Sequence, residues 1–138
     1  MTHKHIKVFT DGGSRGNPGP AASGVVLLTT NDDVIEAFGV FLGTTTNNQA
    51  ECKAILFALE AVQKYAPQKI DFYMDSELVC KQLKGEYKIK NPDLKPIYEQ
   101  IREHTSKLDV SYTHVYREFN KLADAQVNIA IDRALGKK

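Results

Sequence analysis

The chain has 138 residues, 42% of them apolar and 25% charged, which is ordinary usage for one compact domain and excludes wholesale disorder, collagen and a long coiled coil. Eighteen Lys and Arg against 17 Asp and Glu leave a formal charge of +1. A protein that grips nucleic acid by bulk positive charge carries far more, so at face value the balance points away from a polyanion partner. There is no apolar stretch suited to a signal peptide or a membrane span. Cys52 and Cys80 are too few for a disulfide or zinc framework and read as buried small side chains in a reducing compartment. The expectation is a single cytoplasmic domain over 1–138: a monomer with no appended domain, no membrane contact and no obligatory protein partner.

Residues His5–Asp11 alternate and are β-rich, and the following DGGSRGNPGPA is dense in turn residues. Gly24–Thr30 and Val34–Leu42 read as two further strands, giving an antiparallel meander. From Asn47 to Tyr65 the period changes to three and four, which predicts a helix capped by Thr46 or Asn47 and ended by Pro67. Lys69–Asp75 is a fourth strand and Ser76–Leu83 a short helix with Ser76 as cap. A polar loop over Gly85–Asp93 leads to a helix over Leu94–Thr105. A fifth strand over Val110–Tyr116 and a helix over Leu122–Leu135 complete the chain. The predicted class is α/β, a mixed five-stranded sheet with strands 1–3 antiparallel, strands 4 and 5 parallel, and helices on its faces.

Four acids stand out by position. Asp11 ends the first strand, Glu51 lies in the first turn of the long helix, Asp75 ends the fourth strand, and Asp124 lies early in the last helix. Strand C-termini and neighbouring helix N-termini are where sites gather in such sheets. If strands 1 and 4 are adjacent and parallel, Asp11 and Asp75 come side by side, within reach of Glu51 and Asp124. Four crowded carboxylates need neutralising cations, and an all-oxygen donor set suits Mg²⁺ or Mn²⁺ rather than Zn²⁺. Taken singly, each acid could equally serve its own helix or strand end.

Four blocks carry a family resemblance: FTDGGSRGNPG (Phe9–Gly19), TNNQAE (Thr46–Glu51), YMDSELV (Tyr73–Val79) and REFNKLADA (Arg117–Ala125). In this order, each with its acid in place, they resemble type 1 ribonuclease H across the whole chain, and the element order suits that fold. The resemblance implies hydrolysis of the RNA strand of an RNA–DNA hybrid by two Mg²⁺ ions, with Mn²⁺ as a substitute, leaving 5′-phosphate and 3′-hydroxyl ends. Asp11, Glu51, Asp75 and Asp124 would be the metal ligands. Asn17, Asn47 and Asn48 match positions that contact base edges and 2′-hydroxyls, and Thr46 one that touches a DNA phosphate. An amide suits the 2′-hydroxyl because it both donates and accepts. Gly12 and Gly13 would leave the backbone open to the RNA strand, and Gln49 is either a contact or an exposed helix residue.

Two departures from the best-known bacterial form stand out. The stretch Lys84–Lys95 is too short for that form's basic handle, although Lys84, Lys88 and Lys90 remain as candidate substrate contacts, with Tyr87 as a stacking or packing residue. Hybrid affinity should therefore be weaker and more salt-sensitive. The flexible His loop before the last acid is also missing. The strand is expected to run straight through Val115–Asn120, as in the archaeal-like subgroup, with Arg117 as a fixed cation beside the scissile phosphate or in a salt bridge to Glu118 or another surface acid. His114 is a poor substitute for the loop His. Alternatives are a non-catalytic nucleic-acid-binding module of the same fold, or a related two-metal nuclease that also cuts RNA–RNA duplexes. A phosphate-cradling nucleotide site fails because neither GxxxxGK[ST] nor GxGxxG is present. With metal-ligating acids set beside a lysine-rich flank, the near-neutral total conceals an acidic pocket next to a basic surface.

Overall fold

In the computed structural model, residues 2–136 are described. Strands β1 (His5–Ser14), β2 (Gly19–Leu28), β3 (Val34–Thr45), β4 (Lys69–Met74) and β5 (Asp109–His114) form one sheet in the order β3-β2-β1-β4-β5. Pairing of β1 with β2 and of β2 with β3 is antiparallel, and β4 is parallel to both β1 and β5. The helices are α1 (Asn47–Val62), α2 (Glu77–Leu83), α3 (Lys95–Thr105) and α4 (Lys121–Ala134). The expected mixed sheet and helix order are therefore present.

Alternation along β1 divides the interior in two. Ile6 and Val8 join Val25, Leu27, Ile70 and Phe72 beneath α1 and α3 in the main core, with Ile55, Leu59 and Ile101 from the helices. The opposite face is covered by α4, whose Ala123, Val127 and Ile131 meet Ala22, Val26 and Leu28. With both faces covered, β2 is an almost unbroken apolar run rather than an alternating one. Cys52 and Cys80 are buried free thiols, as expected.

The largest correction concerns the first turn. β1 and β2 run on through most of DGGSRGNPGPA, with Gly12 paired to Ser23 and Gly13 to Ala22, and only Arg15–Pro18 lie between the strands. Glycine is poor in strands by propensity, but here it answers the two helices. A Cβ on Gly12 would lie 2.2 Å from the backbone nitrogen of Glu51, and one on Gly24 2.2 Å from the carbonyl oxygen of Ala123. These two glycines let α1 and α4 press backbone to backbone on opposite faces of the sheet. The Ser23 hydroxyl also donates to the Ala50 carbonyl at 2.6 Å, pinning α1 at the same place.

Other boundaries shift less. The long helix stops at Val62 and passes through a 3-10 turn, Gln63–Tyr65, to Ala66, whose φ is 49°. Thr46 is its cap, accepting from the Gln49 N–H, so Glu51 falls just beyond the first turn instead of within it. The fifth strand ends at His114, and Arg117 begins a separate 3-10 turn, Arg117–Phe119, instead of continuing the strand.

Candidate active site

Three acids converge where the parallel pairing of β1 with β4 stops. Thr10 opposite Met74 is the last pair in register, and the next residue on each chain segment is an aspartate. Asp11, Glu51 and Asp75 each place a carboxylate oxygen within 4.8 Å of the other two. Glu51 arrives on the helix that Gly12 seats against β1. Oδ1 of Asp11 accepts the Gly12 N–H at 2.9 Å. Oδ2 of Asp75 accepts from Nδ2 of Asn120 at 3.2 Å, and the same nitrogen donates to the Thr10 carbonyl at 2.8 Å. Asn120 is 1% exposed, so one buried amide ties the last helix to both strand ends.

The acids are half-buried and uncompensated. Burial, then the charge of Asp75, pushes Asp11 up to about 8; the Gly12 hydrogen bond opposes this, and Asp124 and Glu51 add to it. Burial also lifts Glu51 to about 7, with Asp75 adding to the rise while the Ser76 hydroxyl and the Arg117 charge oppose it. Among the described residues, none of the three forms an ion pair within 4.0 Å. Crowded carboxylate oxygens without His or Cys form a donor set that fits a hard divalent cation.

The cluster opens into a groove of about 240 Å³, lined also by Gly13, Arg15, Asn47, Arg117, Asp124 and Asn128. Asp124 thus reaches the groove but stands outside the tight trio. Arg117 forms no ion pair among the described residues, so the expected alternative, a bridge to Glu118, is not made. His114 does not line the groove and meets the Tyr116 ring edge-on instead, with centroids 6.0 Å apart.

A family model described as reverse transcriptase-like matches residues 9–130. The chain is 32% identical to a ribonuclease H of Polaromonas sp., an alignment covering 99% of this chain and 94% of that protein. The chain belongs to the ribonuclease H family. It is also 42% identical to ribonuclease HI of Halobacterium salinarum over 94% of this chain. The crystal structure of that organism's RNase H1 superposes with a TM-score of 0.89, covering 98% of the solved chain. LC11-RNase H1, solved in complex with an RNA/DNA hybrid, matches at 39% identity and a TM-score of 0.91, over 94% of this chain and 99% of that one. The chain spans 65% of the length of the Halobacterium protein and 36% of a bifunctional protein of Mycobacterium tuberculosis that it also matches.

Several substrate positions implied by the ribonuclease H resemblance have their polar atoms engaged within the fold. Oδ1 of Asn47 accepts the Ser14 N–H at 2.7 Å and the Ser14 hydroxyl at 3.1 Å, and Oδ1 of Asn17 accepts the Asn47 N–H at 3.1 Å. The oxygens of Asn47 and Asn17 thus already accept bonds within the fold, and their NH₂ groups remain as donors. Gln49 is half-buried with its oxygen accepting from Thr45, and Thr46 spends its oxygen as the cap of α1. The basic loop is split. Lys88 and Lys90 share a concavity of about 580 Å³ with Asn48, Leu78 and Tyr87. Lys84 faces a different one, of about 310 Å³, beside Tyr98 and Tyr112. Lys81, just before this loop, is paired with Glu77 at 3.0 Å and lies over the Tyr87 ring. Sequence reasoning missed Arg15, Asn120 and Asn128. The first lay inside an apparent turn, and nothing local distinguishes a helix amide that meets a distant strand.

Proposed function

We propose that the protein is an endoribonuclease that hydrolyses the RNA strand of RNA–DNA hybrids, leaving 5′-phosphate and 3′-hydroxyl ends. The observation that carries this reading is the convergence of Asp11, Glu51 and Asp75 within 4.8 Å, half-buried and without a basic partner. Asp11, Glu51, Asp75 and Asp124 would hold two Mg²⁺ ions, or Mn²⁺ in their place. When bound, such a pair neutralises the acids, activates water for in-line attack and stabilises the leaving 3′-oxygen.

The chain's own groups supply positioning. Asn120 holds Asp75 through the 3.2 Å hydrogen bond, and the Gly12 N–H holds Asp11. Arg117 brings a permanent cation to the groove, where it opposes charge developing at the scissile phosphate. The amide nitrogens of Asn47 and Asn17 donate to 2′-hydroxyls and minor-groove acceptors, favouring the ribose-bearing strand. Lys88 and Lys90, beside Asn48, meet backbone phosphates of the duplex. No nucleophilic side chain is required.

The test is cleavage of end-labelled RNA–DNA hybrid, duplex RNA, duplex DNA and a duplex with one embedded ribonucleotide, each with and without Mg²⁺. Mg²⁺-dependent cutting of the hybrid's RNA strand is the expected result. Binding of the hybrid with no cleavage at any Mg²⁺ or Mn²⁺ concentration overturns the proposal in favour of a non-catalytic binding module.

A further inference from the structure

The groove contains a second cation besides Arg117, and its partners lie on α4. Arg15 leaves the β1–β2 turn and crosses to that helix, where Nη1 donates to Oδ1 of Asp132 at 2.7 Å and Nη2 to Oδ1 of Asn128 at 3.3 Å. A guanidinium can only donate. It therefore sets the orientation of the Asn128 amide, with oxygen toward Arg15 and nitrogen toward Asp124. That nitrogen donates to the Asp124 carbonyl at 3.1 Å and reaches Oδ2 of its carboxylate at 3.5 Å. Asp124, Asn128 and Asp132 are spaced four apart and share one face of α4. Arg15, Asn128 and Asp124 all line the groove.

Asp124 is also the one acid of the four that the junction of β1 and β4 does not gather into the trio. Its carboxylate is placed from the other side, by this polar chain. We propose that Arg15 and Asn128 are positioning residues that hold Asp124 at the rim of the groove and so set the affinity of the more weakly held of two divalent ions. This rests on the two-ion reading above. The latch contributes little to stability, because the Arg15–Asp132 pair is open to solvent, with side chains 35% and 38% exposed. Its effect belongs in metal affinity, where a group that orients a ligand is worth about 10- to 100-fold.

The experiment is a Mn²⁺ binding isotherm, read by electron paramagnetic resonance on the full chain stripped of metal. Parent, Arg15→Ala, Asn128→Ala, the double variant and Arg15→Lys are compared. The parent is expected to show a tighter and a weaker site. Each single alanine variant should weaken the weaker site by about 10-fold and spare the tighter one. The double variant should lose no more than either single, because both act through one chain. Arg15→Lys should not restore affinity, since an ammonium lacks the fork that reaches two oxygens. Thermal midpoints in chelator, close to the parent's, establish that each variant is folded. Unchanged isotherms in both single variants overturn the proposal. So does a raised KM for hybrid at saturating Mn²⁺ with unchanged isotherms, which would make Arg15 a substrate contact. A parent that takes up no second Mn²⁺ defeats the two-ion reading itself, an outcome distinct from failure of the latch alone.

Discussion

Replacing Asp11 by Asn should stabilise the metal-free protein at alkaline pH. Asn keeps the oxygen that accepts the Gly12 N–H and removes one charge from a trio packed within 4.8 Å. Each pair of charges at that spacing repels by about 3 kcal/mol at an effective dielectric of about 20. The raised pKa gives a second measure. Asp11 titrates at 3.8 in the open chain and at about 8 in the fold, where burial and then Asp75 lift it; at about 1.4 kcal/mol per unit this opposes folding by roughly 6 kcal/mol once the group is ionised. A buried amide still bears part of the burial cost, so we expect a gain of about 2–4 kcal/mol, or roughly 5–15 °C in thermal midpoint. Between pH 3.8 and about 8 the native state retains a proton that the unfolded chain has released, so parent stability falls as pH rises through that window. Asp11→Asn should flatten this fall and converge with the parent below about pH 4. Thermal or urea unfolding in chelator across that range measures the difference. Millimolar Mg²⁺ should then raise the parent's midpoint more than the variant's. A variant no more stable than the parent at about pH 9 in chelator would refute the crowding argument.

Gly12→Ala should cost roughly 3 kcal/mol or more, because its Cβ would strike the Glu51 backbone at 2.2 Å, whereas Gly13→Ala meets only the Val127 Cγ1 at an ordinary 3.5 Å. Urea midpoints of the two variants check the contrast, and Gly12→Ala should lose activity although no ligand has been altered. Asp75→Asn should abolish hybrid cleavage with the fold retained by circular dichroism; full activity would remove Asp75 from the site. Arg117→Ala should lower kcat by about 100-fold with a smaller effect on hybrid KM, as expected for a cation that acts on developing charge. Combined Lys88→Ala and Lys90→Ala should weaken hybrid binding and reduce its log–log salt slope by about 2, read from binding at several salt concentrations.

The element order, the mixed sheet and three of the four acids expected to converge were legible in the sequence because each depends on local pattern: period-two strands, a three-and-four helix with an acid near its start, and aspartates at strand ends. What misled was glycine. DGGSRGNPG has turn composition, yet Gly12 and Gly13 sit in a ladder. The reason for a glycine there is a helix backbone some forty residues away in sequence, which no window along the chain contains. Nor does any local window show that the Asn47 oxygen accepts from Ser14, thirty-three residues away in sequence. Arg117 lines the groove from a 3-10 turn rather than from the extended strand that the sequence suggests.

The sequence by itself determined the donor chemistry: carboxylates without His or Cys, amides and a few lysines, in the ordered blocks of one family. Its charge of +1 remained ambiguous as a sum, because a sum carries no positions. Tertiary structure resolved that sum into a half-buried acidic trio at one strand junction, two arginines on the groove wall, and a lysine flank partly neutralised by Glu77. It also left Asp124, on α4, at the groove but outside the tight trio. The physical reason is range. Periodicity and capping act within a turn or a strand, while repulsion among acids and the seating of helices on glycines depend on residues brought together only when the sheet closes.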